Sequence, residues 1–225
     1  MNQRIQLDYN TGSSYIEEGD VLLFRGTGLL SWFIKKAGEG DYAHCGVASW
    51  TGRTNEHRIL ECIEFREGSP LGGLFSSNAL GGGRAVSLKN EVEKYPKLID
   101  VYRPVNYFSE YKFDPATGHS EIVRIPFDGY AVARTMRKMT GLPYGWKRIL
   151  WIAKHKLAGL RLIFRAEDLT DDTLKEVIYP ICSTALAYSF SCHKYDLVKN
   201  KSDAWTEPSD IARSGRLSYL FTLKP

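Results

Sequence analysis

The 225-residue sequence is short of several things, and each shortage narrows what the protein is. No apolar run is long enough to span a bilayer. The opening residues, Met1-Asn2-Gln3-Arg4-Ile5-Gln6-Leu7-Asp8, hold no apolar stretch of signal-peptide length. Cytoplasmic location is therefore the expectation, and a viral protein released on lysis would meet the same description. Cysteine is scarce: four residues at irregular spacing make no disulfide framework. Cys182 and Cys192 would lie roughly 15 Å apart along one continuous helix, too far to bridge. There is no internal repeat, no low-complexity linker and no G-x-S-x-G elbow of a serine hydrolase. A formal charge of +4 is too small to argue for nucleic acid, and none is expected as a partner. Acidic residues are missing altogether from Gly129 to Ala166, a stretch that carries Arg134, Arg137, Lys147, Arg148, Lys154 and Lys156 among other cations.

What is present fits one ordinary globular unit over residues 1–225, long enough to bury a sizeable core. Gly19-Asp20 followed by Val21-Leu22-Leu23-Phe24 reads as a turn feeding a buried strand. Gly26-Thr27-Gly28 then opens an apolar helix that ends near Gly38. Strand, G-x-G, helix is the layout of a dinucleotide turn, but Ser31 stands where the last glycine belongs and the next strand has no acid at its end for a ribose. No nucleotide, and no other cofactor, is implied.

Asp41 to Ser49 reads as a second strand. Alternation puts His44 with Gly46 and Ala48 on one face and Cys45 with Val47 on the other. Small neighbours leave room for another element to approach the imidazole. Because adjacent residues on a strand point apart, His44 and Cys45 do not suit one metal ion, and no metal site is expected. Arg58 to Phe65 is a third strand, on which Glu61 shares a face with Ile59, Ile63 and Phe65. A carboxylate there needs a partner if it is buried, and a histidine N–H on the next strand is a natural one. A solvated Glu61 is the alternative, and Glu64, on the opposite face, is the second choice. Gly68 to Gly83 reads as a flexible loop, with strands at Arg84–Leu88, Ile99–Val105 and Glu121–Ile125 and a helix from Phe127 to Met139. Short, closely spaced strands favour an antiparallel sheet and an α+β fold.

The segment about 145–178 reads as a basic helical insertion. From Trp146 to Arg165 basic and apolar residues mix at helical spacing, which suits an anionic membrane or cell-wall polymer, or a helix docked on the core with a wet basic side. Thr170 then caps a helix running towards Pro180.

Tyr179-Pro180-Ile181-Cys182-Ser183-Thr184-Ala185-Leu186 is the stretch on which function turns. Proline followed by small and apolar helix formers starts a helix and puts Cys182 in its opening turn. Unpaired N–H groups and the helix dipole there favour the thiolate, the form that attacks carbonyl carbon. The same cysteine also fits a buried apolar helix face. A thiol at a helix start, a histidine on a strand and an acid beside it are the parts of a cysteine nucleophile system: Cys182 attacks, His44 moves the proton, Glu61 orients the ring.

The order His44, Glu61, Cys182 resembles the circularly permuted branch of the papain-like, NlpC-type hydrolases, the YiiX-like group. The matching points are Gly19 to Phe24, Tyr42-Ala43-His44-Cys45-Gly46-Val47, Ile59-Leu60-Glu61, Gly141-Leu142-Pro143-Tyr144, Ile181-Cys182-Ser183 and Pro208-Ser209-Asp210-Ile211. The resemblance implies an antiparallel sheet packed against the nucleophile helix. It also implies amide, thioester or ester hydrolysis on cell-wall peptides or acylated substrates, with substrate contacts at Tyr42, Tyr144 and Arg25. A non-catalytic envelope- or membrane-associated module on the same fold, and a lipid acyltransferase or thioesterase, are the alternatives.

Overall fold

The computed structural model describes residues 4–26, 29–52, 58–67, 81–94, 98–145 and 180–225. The basic segment Trp146 to Arg165, and the helix expected to begin at Thr170, lie outside them.

The described elements are, in chain order, β1 (Gln6–Leu7), α1 (Tyr9–Gly12), β2 (Val21–Phe24), α2 (Leu29–Ala37), β3 (His44–Thr51), β4 (Ile59–Glu67), β5 (Gly81–Ser87), α3 (Leu88–Lys94), β6 (Ile99–Pro104), β7 (Tyr107–Asp114), β8 (His119–Pro126), α4 (Gly129–Lys138), α5 (Cys182–Ser191), α6 (Pro208–Arg213) and β9 (Leu217–Leu223). Seven strands form one sheet in the order β1-β9-β6-β2-β3-β4-β5, and β7 with β8 makes a separate hairpin. Every pairing in the large sheet is antiparallel except that of the two-residue β1 with β9. The fold is α+β.

Both faces of the sheet are covered, which is why Val21-Leu22-Leu23-Phe24 is apolar at every position rather than at alternate ones. On one face Val21, Leu23, Cys45, Val47, Ile63 and Phe65 pack against Val132 and Met136 of α4 and Ala185, Leu186 and Phe190 of α5. On the other face Leu22, Phe24, Ala48, Leu60 and Cys62 meet Leu88 and Val92 of α3. Burying a side chain of this size contributes about 1.5–3 kcal/mol relative to leaving it exposed, so these two layers fix the sheet.

The end of the glycine-rich stretch is not loop. Gly81-Gly82-Gly83 begins β5, where Gly83 N–H bonds to Leu142 O at 2.9 Å and Gly141 N–H bonds back to Gly83 O at 2.8 Å. A Cβ on Gly83 would stand 2.4 Å from Met139 O, and one on Gly82 2.3 Å from Leu142 O, so only glycine lets the turn after α4 lie this close. That turn continues to Gly145, whose N–H bonds to Pro180 O at 3.0 Å. The edge of the sheet is thereby tied to the chain entering α5.

Candidate active site

Cys182 is the first residue of α5. Ile181 caps the helix in extended conformation, and its N–H donates to Thr184 Oγ1 at 3.0 Å. The first intrahelical bond comes from Ala185 N–H to Ile181 O at 2.9 Å, which leaves the Cys182 N–H among those a helix start does not pair internally. Cys182 is 3% exposed and belongs to the core layer between α5 and the sheet. The helix runs unbroken to Ser191 with Cys192 as its C-cap, the case in which the two cysteines are too far apart to bridge, and all four cysteines are thiols.

His44 opens β3 and lies 5.0 Å from the ring of Phe24, its pairing partner on β2. Its Nε2–H donates to Glu64 Oε2 at 2.7 Å. Cys182 acts electrostatically on the same imidazole. With Nε2 taken by Glu64, Nδ1 is the nitrogen left for the thiol, and among the described residues it makes no hydrogen bond. Such looseness is usual before a substrate closes a site. Burial opposes a charged imidazole, but the carboxylate of Glu64 and the Cys182 sulfur outweigh it and push His44 up to about 10. Burial likewise opposes ionised Glu64, yet His44, Arg84 and Arg66 hold it down to about 2.

The acid beside the histidine is Glu64, not Glu61. Gly46 pairs with Glu64 and Ser49 with Glu61, so the register puts Glu64 on the face of His44 and Glu61 on the other. Glu61 instead binds Arg137 of α4, Oε2 to Nη2 at 2.6 Å. Alternation within each strand is legible in a sequence; the offset between two strands is not, and that offset decided the partner.

The three residues expected to contact substrate are otherwise engaged. Tyr42 is 5% exposed, and its hydroxyl donates to Asp100 Oδ2 at 2.5 Å and meets the Tyr102 hydroxyl at 3.0 Å. Arg25 Nη2 lies 2.8 Å from the same Asp100 oxygen, and Arg4 Nη1 lies 2.6 Å from it. Tyr144 is buried in the core layer with Cys182. Asp100, fully buried and also bonded by Thr222 Oγ1 at 2.5 Å, organises this end of the sheet. Its signal in the sequence was a lone acid, Asp100, at the head of an apolar strand.

The surroundings of the other two thiols near the site disfavour their thiolate forms. Burial, reinforced by neighbouring Cys182, pushes Cys45 well above the ordinary thiol range. Burial and the Glu64 charge do the same to Cys62, whose Sγ lies 3.7 Å from Glu64 Oε2. Among the described residues no group of three or more His, Cys, Asp or Glu could hold a metal ion, and no helix is long and apolar enough to cross a membrane.

No family model matches the chain, and no curated protein matches it. Among solved structures it is similar to one described as the metalloprotein YiiX from Escherichia coli O157:H7, at 16% identity and a TM-score of 0.44, covering 93% of this chain and 98% of that one. A likeness of that degree carries no argument about chemistry, which rests on the residues above.

Proposed function

We propose that this protein is a cysteine hydrolase of acyl groups, with Cys182 as nucleophile, His44 as proton carrier and Glu64 as the acid that orients it. One observation carries the reading: a thiol on the first turn of a helix adjoins an imidazole that a fully buried carboxylate holds at 2.7 Å. A histidine strand that precedes the nucleophile helix, with α5 packed on a mainly antiparallel sheet, is also the order of a circularly permuted papain-like enzyme.

The chemistry follows from the protonation states. A histidine pushed up to about 10 is an imidazolium at neutral pH, so its neighbour is favoured as thiolate. The thiolate adds to a carbonyl carbon, and the Cys182 N–H helps to hold the oxyanion that forms. As the carbon–nitrogen, carbon–oxygen or carbon–sulfur bond breaks, His44 gives its proton to the leaving group, and the acyl group remains as a thioester on Cys182. Water then attacks the thioester while neutral His44 takes its proton. The acid departs and the ion pair is restored. Glu64 keeps the ring oriented throughout and stays ionised. Peptide and acylated amides, esters and thioesters are the substrate class; an alcohol in place of water would make the same site an acyltransferase.

The test is capture of the intermediate. With a panel of activated acyl esters, thioesters and peptide amides, intact-mass and peptide analysis should find an acyl group on Cys182, and Cys182→Ala should abolish both the adduct and turnover. Turnover that survives Cys182→Ala would overturn the reading.

A further inference from the structure

Glu64 has no access to solvent, and charged neighbours converge on it from three elements. Its Oε2 meets His44 of β3. Its Oε1 accepts a fork from Arg84 of β5, Nε at 2.8 Å and Nη2 at 2.5 Å. Arg66 of β4 stands 3.6 Å from that oxygen. Both guanidiniums are tied in turn to Glu91 of α3, Arg66 Nη1 at 2.5 Å and Arg84 Nη2 at 3.2 Å. The Cys62 thiol lies 3.7 Å from Oε2, and Cys182 acts electrostatically on His44.

Two guanidiniums balance two carboxylates and the His44 imidazolium is matched by the Cys182 thiolate, so this cluster has no surplus charge with which to recruit an anion. Its work is internal. Two N–H groups of one rigid guanidinium converging on a single carboxylate oxygen fix where that oxygen sits, which a point charge on a flexible stem does not. With Oε1 clamped, Oε2 is presented to the imidazole. We infer that Arg84 is a positioning residue for the reaction: its fork on Glu64 Oε1 sets the carboxylate on which His44 depends, and Glu91 holds the fork in place. The inference deepens the hydrolase reading and rests on it only for its kinetic arm.

The experiment uses the full chain labelled with carboxyl-¹³C glutamate, the Glu64 signal being identified by its loss in Glu64→Gln. In Arg84→Met the Glu64 titration midpoint should rise by about one unit or more. In Arg84→Lys, which keeps the charge and loses the fork, it should rise in the same direction by less. Alkylation of Cys182 by iodoacetamide should slow about tenfold in Arg84→Met. Midpoints that stay at the wild-type value in both variants overturn the inference. An Arg84→Lys protein that matches wild type while Arg84→Met shifts assigns charge alone and also overturns it. Should Arg84→Met not fold, Arg84→Lys decides by itself. Failure of the hydrolase reading would look different: Cys182 would be unreactive in the wild-type protein with the Glu64 shift intact.

Discussion

His44 and Glu64 meet on a diagonal across two antiparallel strands, Nε2 to Oε2 at 2.7 Å, with Gly46 opposite Glu64 between them. The glycine is what opens the lane. A Cβ on Gly46 would stand 2.7 Å from Cys62 Sγ and 3.2 Å from Glu64 Cβ, so any larger residue would push the acid's strand away from the ring. Small residues around His44 do make room for a neighbour, and that neighbour is the adjacent strand itself.

The two acids of β4 separate the reading by experiment. Glu64→Gln removes the carboxylate that keeps His44 charged and oriented, and should lower kcat/KM by about 10²–10⁴-fold. Glu61→Gln breaks a partly exposed pair with Arg137, worth about 0–1 kcal/mol, and should leave kcat/KM near wild type. Kinetics of both variants on one acyl ester checks the assignment; the reverse ranking would return the role to Glu61.

Stability should depend on pH through the same pair. His44 is raised from 6.5 to about 10, so its contribution is complete below pH 6.5 and fades as pH climbs to about 10. Glu64 is lowered from 4.5 to about 2, so its contribution is complete above pH 4.5 and fades as pH falls to about 2. Denaturant unfolding of wild type and of a His44→Gln, Glu64→Gln double variant should therefore differ most between pH 4.5 and 6.5, and the difference should shrink on either side. A difference that is flat from pH 4 to 10 contradicts the ion pair.

Gly83 tests the tie between the sheet edge and the nucleophile. A methyl group there meets Met139 O at 2.4 Å and Phe65 Cζ at 2.8 Å, an overpacking that costs about 1–3 kcal/mol. Gly83→Ala should lower the unfolding free energy by that amount and slow Cys182 alkylation, because the displaced turn runs on through Gly145 to Pro180. Gly215→Ala, with nothing within 4 Å of the new methyl, is the control and should change neither.

Asp100 should prove structural. It carries Arg4, Arg25, Tyr42 and Thr222 on one fully buried carboxylate. Asp100→Ala leaves those groups unpaired and should cost about 3–5 kcal/mol in denaturant unfolding. A loss under 1 kcal/mol would show that the cluster holds little of this end of the sheet together.

Much of this architecture was legible in the sequence because it rests on local rules. The continuous apolar run at Val21–Phe24, the proline before Cys182, and the glycine and proline that stop α4 each name an element through backbone chemistry alone. The parity of His44 and of the two β4 acids was legible too. What was not is long-range. Register chose Glu64 over Glu61, and Arg84, Arg66 and Glu91 come together only when β4, β5 and α3 are packed. Gly81–Gly83 read as loop because glycine is rare inside strands, whereas here the missing side chains admit the turn at Leu142. The resemblance puts substrate contacts at Tyr42 and Arg25; that both meet Asp100 is a long-range pairing no local pattern reveals.

The most direct measurement is the rate of iodoacetamide alkylation of each cysteine in the native protein, followed by peptide mass mapping from pH 5 to 9. Cys182, 3% exposed but beside a charged imidazole, should react at pH 6 well ahead of exposed Cys192, with Cys45 and Cys62 spared and the Cys182 rate collapsing in His44→Gln. Label that follows exposure instead, first on Cys192 and on Cys182 only after unfolding, would contradict it.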